Sequence, residues 1–130
     1  MRCSLSRWRS KTHLRRLFHY VGGVSGKNYC IQGNILAGEA VVKAMEKSFL
    51  ESKGELGERL IAALAAGQVA GGDKRGMQSA ALLIVREGWG YDGKNDRYRD
   101  LRVDDHAEPI KELKRNYDLH CALFPKPKKD

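Results

Sequence analysis

The sequence predicts an α+β fold with the element order β-α-α-β-β-α, and three patterns support it. Apolar residues recur at helical spacing in three stretches of the chain. One run, 79–86, is almost wholly apolar, as in a strand buried on both faces. The stretch after it alternates apolar and polar residues, as in a half-buried strand.

The first half of the chain is predicted as a loop, a short strand and a helix. A glycine-rich loop covers 21–28, and the strand covers Tyr29–Gln32, ended by Gly33. The helix begins near Glu39, whose charge suits the helix dipole, and Gly54 ends it. Its predicted core-facing stripe is Val41, Val42, Met45 and Phe49.

The second half is predicted as a helix, a strand hairpin and a last helix. The helix covers 56–68, and its alanines and glycines suggest close approach to a neighbour. Two strands, 79–86 and 98–105, form an antiparallel hairpin with a long connection rich in glycine. Pro109 suits the first turn of the last helix, which carries an apolar stripe at Ile110, Leu113, Tyr117 and Cys121.

Length and composition indicate a cytoplasmic single domain. The chain has 130 residues, with 42% hydrophobic and 31% charged content. Three widely spaced cysteines, Cys3, Cys30 and Cys121, favour reduced thiols over a disulfide framework or a zinc site. No apolar run approaches the length of a membrane span, and the N-terminus lacks the apolar region of a secretory signal.

The net charge of +8 belongs mainly to the N-terminus. Six basic residues and no acid lie in the first twenty residues, which leaves 18 basic and 16 acidic residues elsewhere. Residues 1–19 read as a basic arm for nucleic acid or anionic lipid, as a transit peptide, or as sequence unrelated to the domain. No groove-reading motif accompanies the charge, so we do not expect nucleic-acid binding. The predicted segments are the arm 1–19, a domain 20–124 and a basic tail 125–130.

A polar, glycine-rich corner joins the second helix to the apolar strand. It runs Gly71-Gly72-Asp73-Lys74-Arg75-Gly76-Met77-Gln78-Ser79-Ala80-Ala81. The glycines permit backbone angles that other residues resist. The polar side chains are either aimed into a pocket or form a solvated turn with a salt bridge.

Three motifs of the chain resemble a family of unknown function, DUF1028, which is grouped with the Ntn-hydrolase-like folds. The motifs are the corner just described, Gln32-Gly33-Asn34-Ile35-Leu36, and Leu101-Arg102-Val103-Asp104-Asp105-His106 followed by Pro109. The resemblance covers roughly Tyr20 to His120. It implies a four-layer αββα sandwich, of which this chain resembles the C-terminal half.

The resemblance implies a polar pocket and an Ntn-type amidohydrolase. The residues carried over as pocket lining are Asn34, Asp73, Lys74, Arg75, Gln78, Ser79 and Asp105. Ntn hydrolases use an N-terminal Cys, Ser or Thr as nucleophile, and Cys3 behind Arg2 does not meet that requirement. We therefore expect the nucleophile segment to be missing and the chain to be inactive alone. The alternative is a binding module whose 71–79 loop holds an anionic or amide-bearing ligand.

Other chemistries are weaker interpretations of the same residues. The corner lacks the Walker order of strand, loop and helix, so it is not a phosphate loop. In Asp104-Asp105-His106, adjacent strand residues point to opposite faces, so these carboxylates are expected to pair with Lys74 or Arg75 instead of a metal. A Ser79–His106 pair is a further alternative. We expect no metal and no cofactor.

The sequence also predicts a partner. In half a sandwich one face of the 79–86 strand has no second sheet against it. We therefore expect self-association through that face, or pairing with a missing N-terminal half.

Overall fold

The computed structural model describes residues 20–126 and confirms the α+β fold. The helices and strands are β1 (Tyr20–Gly26), β2 (Tyr29–Leu36), α1 (Glu39–Glu51), α2 (Leu56–Val69), β3 (Ala80–Val85), β4 (Arg97–Val103) and α3 (Pro109–Leu123). They form two compact units. Of the described residues, unit 1 contains 20–53 and 62–76, and unit 2 contains 54–61 and 77–126. The predicted arm 1–19 and most of the predicted tail lie outside the described residues.

The glycine-rich segment before β2 is a strand, so the prediction of a loop there was wrong. β1 pairs antiparallel with β2, and Asn28 turns the chain with a left-handed φ of 68°. The rings of Tyr20 and Tyr29 occupy the space that a Cβ on Gly22 and Gly26 would need. Aromatic side chains thus cover glycines that would otherwise weaken a strand.

The core of unit 1 forms where α1 packs on both strands of the β1–β2 hairpin. Val41 and Val42 are each only 2% exposed, which confirms these two residues of the predicted stripe, and Met45 and Phe49 are half-buried. On α2, Gly67 lies against Val41 and Met45, where a Cβ would collide with the methionine. The predicted close approach at the small residues of this helix is therefore present.

The core of unit 2 forms where α3 packs on the β3–β4 hairpin. The two strands pair antiparallel as predicted, with Leu82 opposite Leu101. Leu82, Leu113 and Tyr117 are 4%, 0% and 2% exposed, so the inner face of the hairpin is buried under the apolar stripe of α3.

The other face of β3 is exposed, so within the described residues the strand is not buried on both faces as its apolar run suggested, and one face lacks a second sheet as in the half-sandwich interpretation. Leu83 is 56% exposed and Val85 is 63% exposed, and Ala81, which lies on the same face of the strand, is exposed as well. The reason is that side chains alternate across a strand and α3 covers only one of the two faces.

Within residues 20–126, no helix has both the length and the apolar character needed to cross a membrane.

Candidate functional site

The corner after α2 docks on the end of β2, which brings two of the sequence motifs together in unit 1. The N–H of Ala37 donates to the carbonyl of Gly72 at 2.9 Å, and the N–H of Lys74 donates to the carbonyl of Ile35 at 2.9 Å. Leu36 and Asp73 form an isolated antiparallel bridge between these two contacts. The backbone therefore fixes the corner against the residues that follow Asn34.

Asp73 orients Arg75 through two atoms of the guanidinium and one of the backbone. Its Oδ1 accepts from the Arg75 N–H at 2.8 Å and from Nε at 3.0 Å, and its Oδ2 accepts from Nη2 at 2.6 Å. These hydrogen bonds, reinforced by the carboxylate's charge, raise the pKa of Arg75. A bidentate pair of this kind holds the planar guanidinium in one orientation.

Arg75 is exposed and pairs with Asp73, which corrects the expectation that it pairs with a carboxylate of the Asp104-Asp105 motif. Its side chain is 68% exposed, and its bidentate partner is Asp73, two residues away in the same turn. Lys74 and Asn34 are also exposed. We refer to Asn34, Asp73, Lys74 and Arg75 as the corner site.

The backbone beside the corner site is strained. Ile35 has a φ of 55°, in the left-handed region that a β-branched residue rarely adopts. Its carbonyl is the acceptor for Lys74, so the unusual conformation is part of the contact between β2 and the corner. Such outliers persist where the surrounding structure holds them, and they cluster at functional sites.

The other three predicted site residues, Gln78, Ser79 and Asp105, belong to unit 2 and are exposed. Gln78 Nε2 donates to Asp105 Oδ1 at 3.3 Å, and the carbonyl of Gln78 accepts from the N–H of His106 at 2.9 Å. The structure thus joins the last part of the corner motif to the Asp-His motif after β4.

Asp104 and His106 each form a local contact at the turn that follows β4. Asp104 pairs with Arg102 at 2.8 Å, and His106 Nδ1 accepts from the Glu108 N–H at 2.9 Å, which orders the turn before α3. No group of three or more His, Cys, Asp or Glu side chains in the 20–126 segment could hold a metal ion. Cys3, the rejected nucleophile, lies outside the described residues.

The family model of DUF1028, a family of unknown function, matches residues 15–113. The chain belongs to the DUF1028 family. A DUF1028 protein from Silicibacter pomeroyi has a similar crystal structure, with a TM-score of 0.68 and 28% sequence identity. The match covers 80% of this chain and 43% of that protein, so this chain spans less than half of the length of that relative. No curated protein matches the chain.

The sequence reasoning missed one buried polar cluster in this DUF1028 chain, centred on Arg99 in unit 2. Arg99 is 2% exposed, and it donates to the Phe124 carbonyl, to Tyr98 Oη and to His120 Nδ1, each at 2.9 Å. Its guanidinium lies 4.0 Å from the centre of the Tyr98 ring. It thus caps the C-terminal end of α3, where a cation is favoured.

A signal for this cluster was present in the strand alternation. Arg99 shares its face with Leu101 and Val103, the apolar residues of the alternating stretch. Burial, together with the charge of Arg99, lowers the pKa of His120, which favours the neutral imidazole that can accept a hydrogen bond from the guanidinium. This cluster stabilises unit 2 and contains no exposed reactive group.

Proposed function

We propose that the corner site binds a small ligand carrying a carboxylate next to an amide. We further propose that this binding serves an amide-bond hydrolase of the Ntn-like kind. The observation that carries the proposal is the exposed Arg75 guanidinium, held in one orientation by Asp73. A cation that only balanced a carboxylate in solvent would not need a backbone-anchored turn to position it.

The chemistry of the ligand follows from the donors that remain. A guanidinium has five N–H donors, of which Nε and one on Nη2 contact Asp73. Both N–H groups of Nη1 and the second N–H group of Nη2 remain available to donate to a carboxylate of the ligand. Lys74 adds a second exposed cation, so the three charged residues of the corner site sum to one positive charge.

The amide preference rests on Asn34, whose exposed side chain can donate to a carbonyl and accept from an N–H at once. Asn34 lies one residue before Ile35, whose carbonyl accepts from the Lys74 N–H, so the register places its backbone beside the corner. A ligand with an amide and a flanking carboxylate matches both groups.

In an amide hydrolase, this site would hold the substrate while a nucleophile attacks the amide carbonyl. Holding the carboxylate end contributes by positioning, which converts an encounter into a reaction of fixed geometry. We assign no nucleophile to residues 20–126. This DUF1028 chain is therefore proposed to supply binding, with hydrolysis depending on a group outside those residues.

The test is a titration monitored by NMR chemical shifts with three probes that differ by one group. N-acetylglycine carries the amide and the carboxylate, N-acetylglycine methylamide carries only amides, and acetate carries only the carboxylate. We expect N-acetylglycine to bind most tightly, and we expect Arg75→Ala to weaken it by about tenfold or more.

The chain offers a matched control in Arg102, whose side chain is 70% exposed and pairs with Asp104 two residues away. Arg102→Ala should leave the binding unchanged. Equal effects of the two substitutions, or no shift with any probe, would disprove the corner site. Release of glycine from N-acetylglycine, detected with an amine-reactive dye, would distinguish a hydrolase from a binding module.

A further inference from the structure

A β-bulge interrupts β2 just before the corner site. The pairs on either side of the register shift are Tyr20–Leu36 and Gly22–Gly33. Between these pairs β1 contributes one residue, Val21, and β2 contributes two, Asn34 and Ile35. A bulge of this kind redirects side chains, and bulges are frequent beside functional sites.

The bulge changes which side chains of β2 point outward. Gln32 and Asn34 are exposed, as the alternation of a strand requires, but Ile35 and Leu36 are both half-buried. The Leu36 side chain fills the space that a Cβ on Gly33 would need, although residues three apart lie on opposite faces of a regular strand. The extra residue therefore keeps Leu36 inward and leaves Asn34 outward.

Leu36 is also the point at which the corner joins the hairpin. It pairs with β1 on one side and forms the isolated bridge with Asp73 on the other. One of the two hydrogen bonds of this bridge runs from the Lys74 N–H to the Ile35 carbonyl, at 2.9 Å. Lys74 lies between Asp73 and Arg75, whose side chains form the bidentate pair of the corner site. The Ile35 carbonyl therefore fixes the backbone at the centre of that pair.

Ile35 makes this contact in a backbone conformation that its own side chain disfavours. Its φ is 55°, where a residue with a Cβ has a steric conflict that glycine lacks. Such a conformation persists where the surrounding contacts hold it. The left-handed backbone of Ile35 and the docking of the corner are consequently coupled, because undocking the corner allows Ile35 to relax.

We infer that Ile35 is the positioning residue of the corner site. The bulge turns the Asn34 side chain outward, and the left-handed backbone of Ile35 fixes the turn that presents Arg75. Ile35 acts through the backbone of Lys74, and its own side chain touches no ligand in this role. The role rests on the proposed function of the corner site, because a residue can position a site only if that site binds a ligand.

Amide hydrogen exchange at Lys74 tests the coupling without a ligand. Ile35→Gly and Ile35→Ala both remove the apolar side chain, and they differ mainly in the cost of a positive φ. The Lys74 N–H should exchange more slowly in the glycine variant than in the alanine variant, by about fivefold or more, because opening the corner relieves strain only at alanine. The sequence neighbours of Lys74 are the same in both variants, so its intrinsic exchange rate is the same.

Ile31 is the matched control for these two substitutions. It is an isoleucine of the same strand, it is half-buried, it lies in the regular part of the register, and its φ is not positive. Glycine weakens a regular strand relative to alanine, so the order of the two variants should be reversed or lost at Ile31. Equal exchange of the Lys74 N–H in the two Ile35 variants, or faster exchange in the glycine variant, would overturn the positioning role.

Binding then tests whether the position of Arg75 matters to the ligand. Deletion of Ile35 removes the bulge and keeps all four residues of the corner site. Ile35→Gly keeps the bulge, and this variant should bind N-acetylglycine at least about tenfold more tightly than the deletion variant.

The outcomes separate this role from the proposed function. Equal binding of N-acetylglycine by the two variants would overturn the positioning role and leave the proposed function standing. Failure of the unmodified chain to bind N-acetylglycine would overturn both. If the amide shifts of Val41 and Val42 show that the deletion variant is unfolded, the Lys74 exchange rates of the glycine and alanine variants decide.

Discussion

Replacing Arg99 is predicted to destabilise unit 2 strongly, because one side chain satisfies three acceptors inside the protein. Arg99→Ala removes hydrogen bonds to the Phe124 carbonyl, Tyr98 Oη and His120 Nδ1. It also removes the contact of the guanidinium with the Tyr98 ring.

The magnitude follows from these contacts. A hydrogen bond to a charged group contributes about 1.5–3 kcal/mol, and a buried acceptor left unpaired costs about 1–3 kcal/mol. Phe124 is 45% exposed, so water replaces part of the loss at its carbonyl. Burying the guanidinium also costs free energy, since no carboxylate in the described part of the chain forms an ion pair with it. Removing the guanidinium recovers that cost and so reduces the net loss of stability. We therefore expect Arg99→Ala to lower the free energy of unfolding by about 3 kcal/mol.

The assay is urea unfolding followed by Trp89 fluorescence, in a Trp8→Phe background so that a single tryptophan reports. Trp89 packs edge-on against Tyr98 with ring centres 5.0 Å apart, so it senses the cluster. Arg102→Ala is the control on the same strand, and its exposed ion pair should contribute less than about 0.5 kcal/mol. If the two alanine variants differ by less than about 1 kcal/mol, the reasoning about buried acceptors is refuted.

Three further predictions concern pH, a close contact and the corner site. The pKa of His120 is lowered in the folded chain, so the unfolded chain takes up a proton first as the pH falls below about 6.5. The free energy of unfolding should therefore decrease below that pH, by at most about 1.4 kcal/mol per pH unit. His120→Asn keeps an acceptor but cannot titrate, so the difference between the two pH profiles isolates this effect. Gly57→Ala should lower the urea midpoint of unfolding, because the added Cβ would collide with the buried Tyr117 ring. Helix propensity alone predicts a higher urea midpoint, and that result would contradict the close contact between Gly57 and Tyr117. Arg75→Ala should change the unfolding free energy by less than about 0.5 kcal/mol, and a larger loss in urea unfolding would mean that Arg75 supports the fold instead of a ligand.

The amino-acid sequence alone determined the elements whose signal is local. The stripe at Val41 and Val42 and the alternation that places Val103 inward follow from the repeats of helices and strands, and these three residues are buried in the structure. The three motifs were sufficient to indicate the family, which the family model confirms. These features depend on residues close together in the chain, so a single sequence carries them.

The tertiary structure decided the features that depend on distant neighbours. The glycine-rich β1 is a strand because its backbone pairs with β2, and the glycines themselves carry no strand signal. Arg99 is buried although it is charged, because the end of α3 supplies its acceptors. Burial and partner choice are set by what packs against a residue, and that is a property of the folded chain.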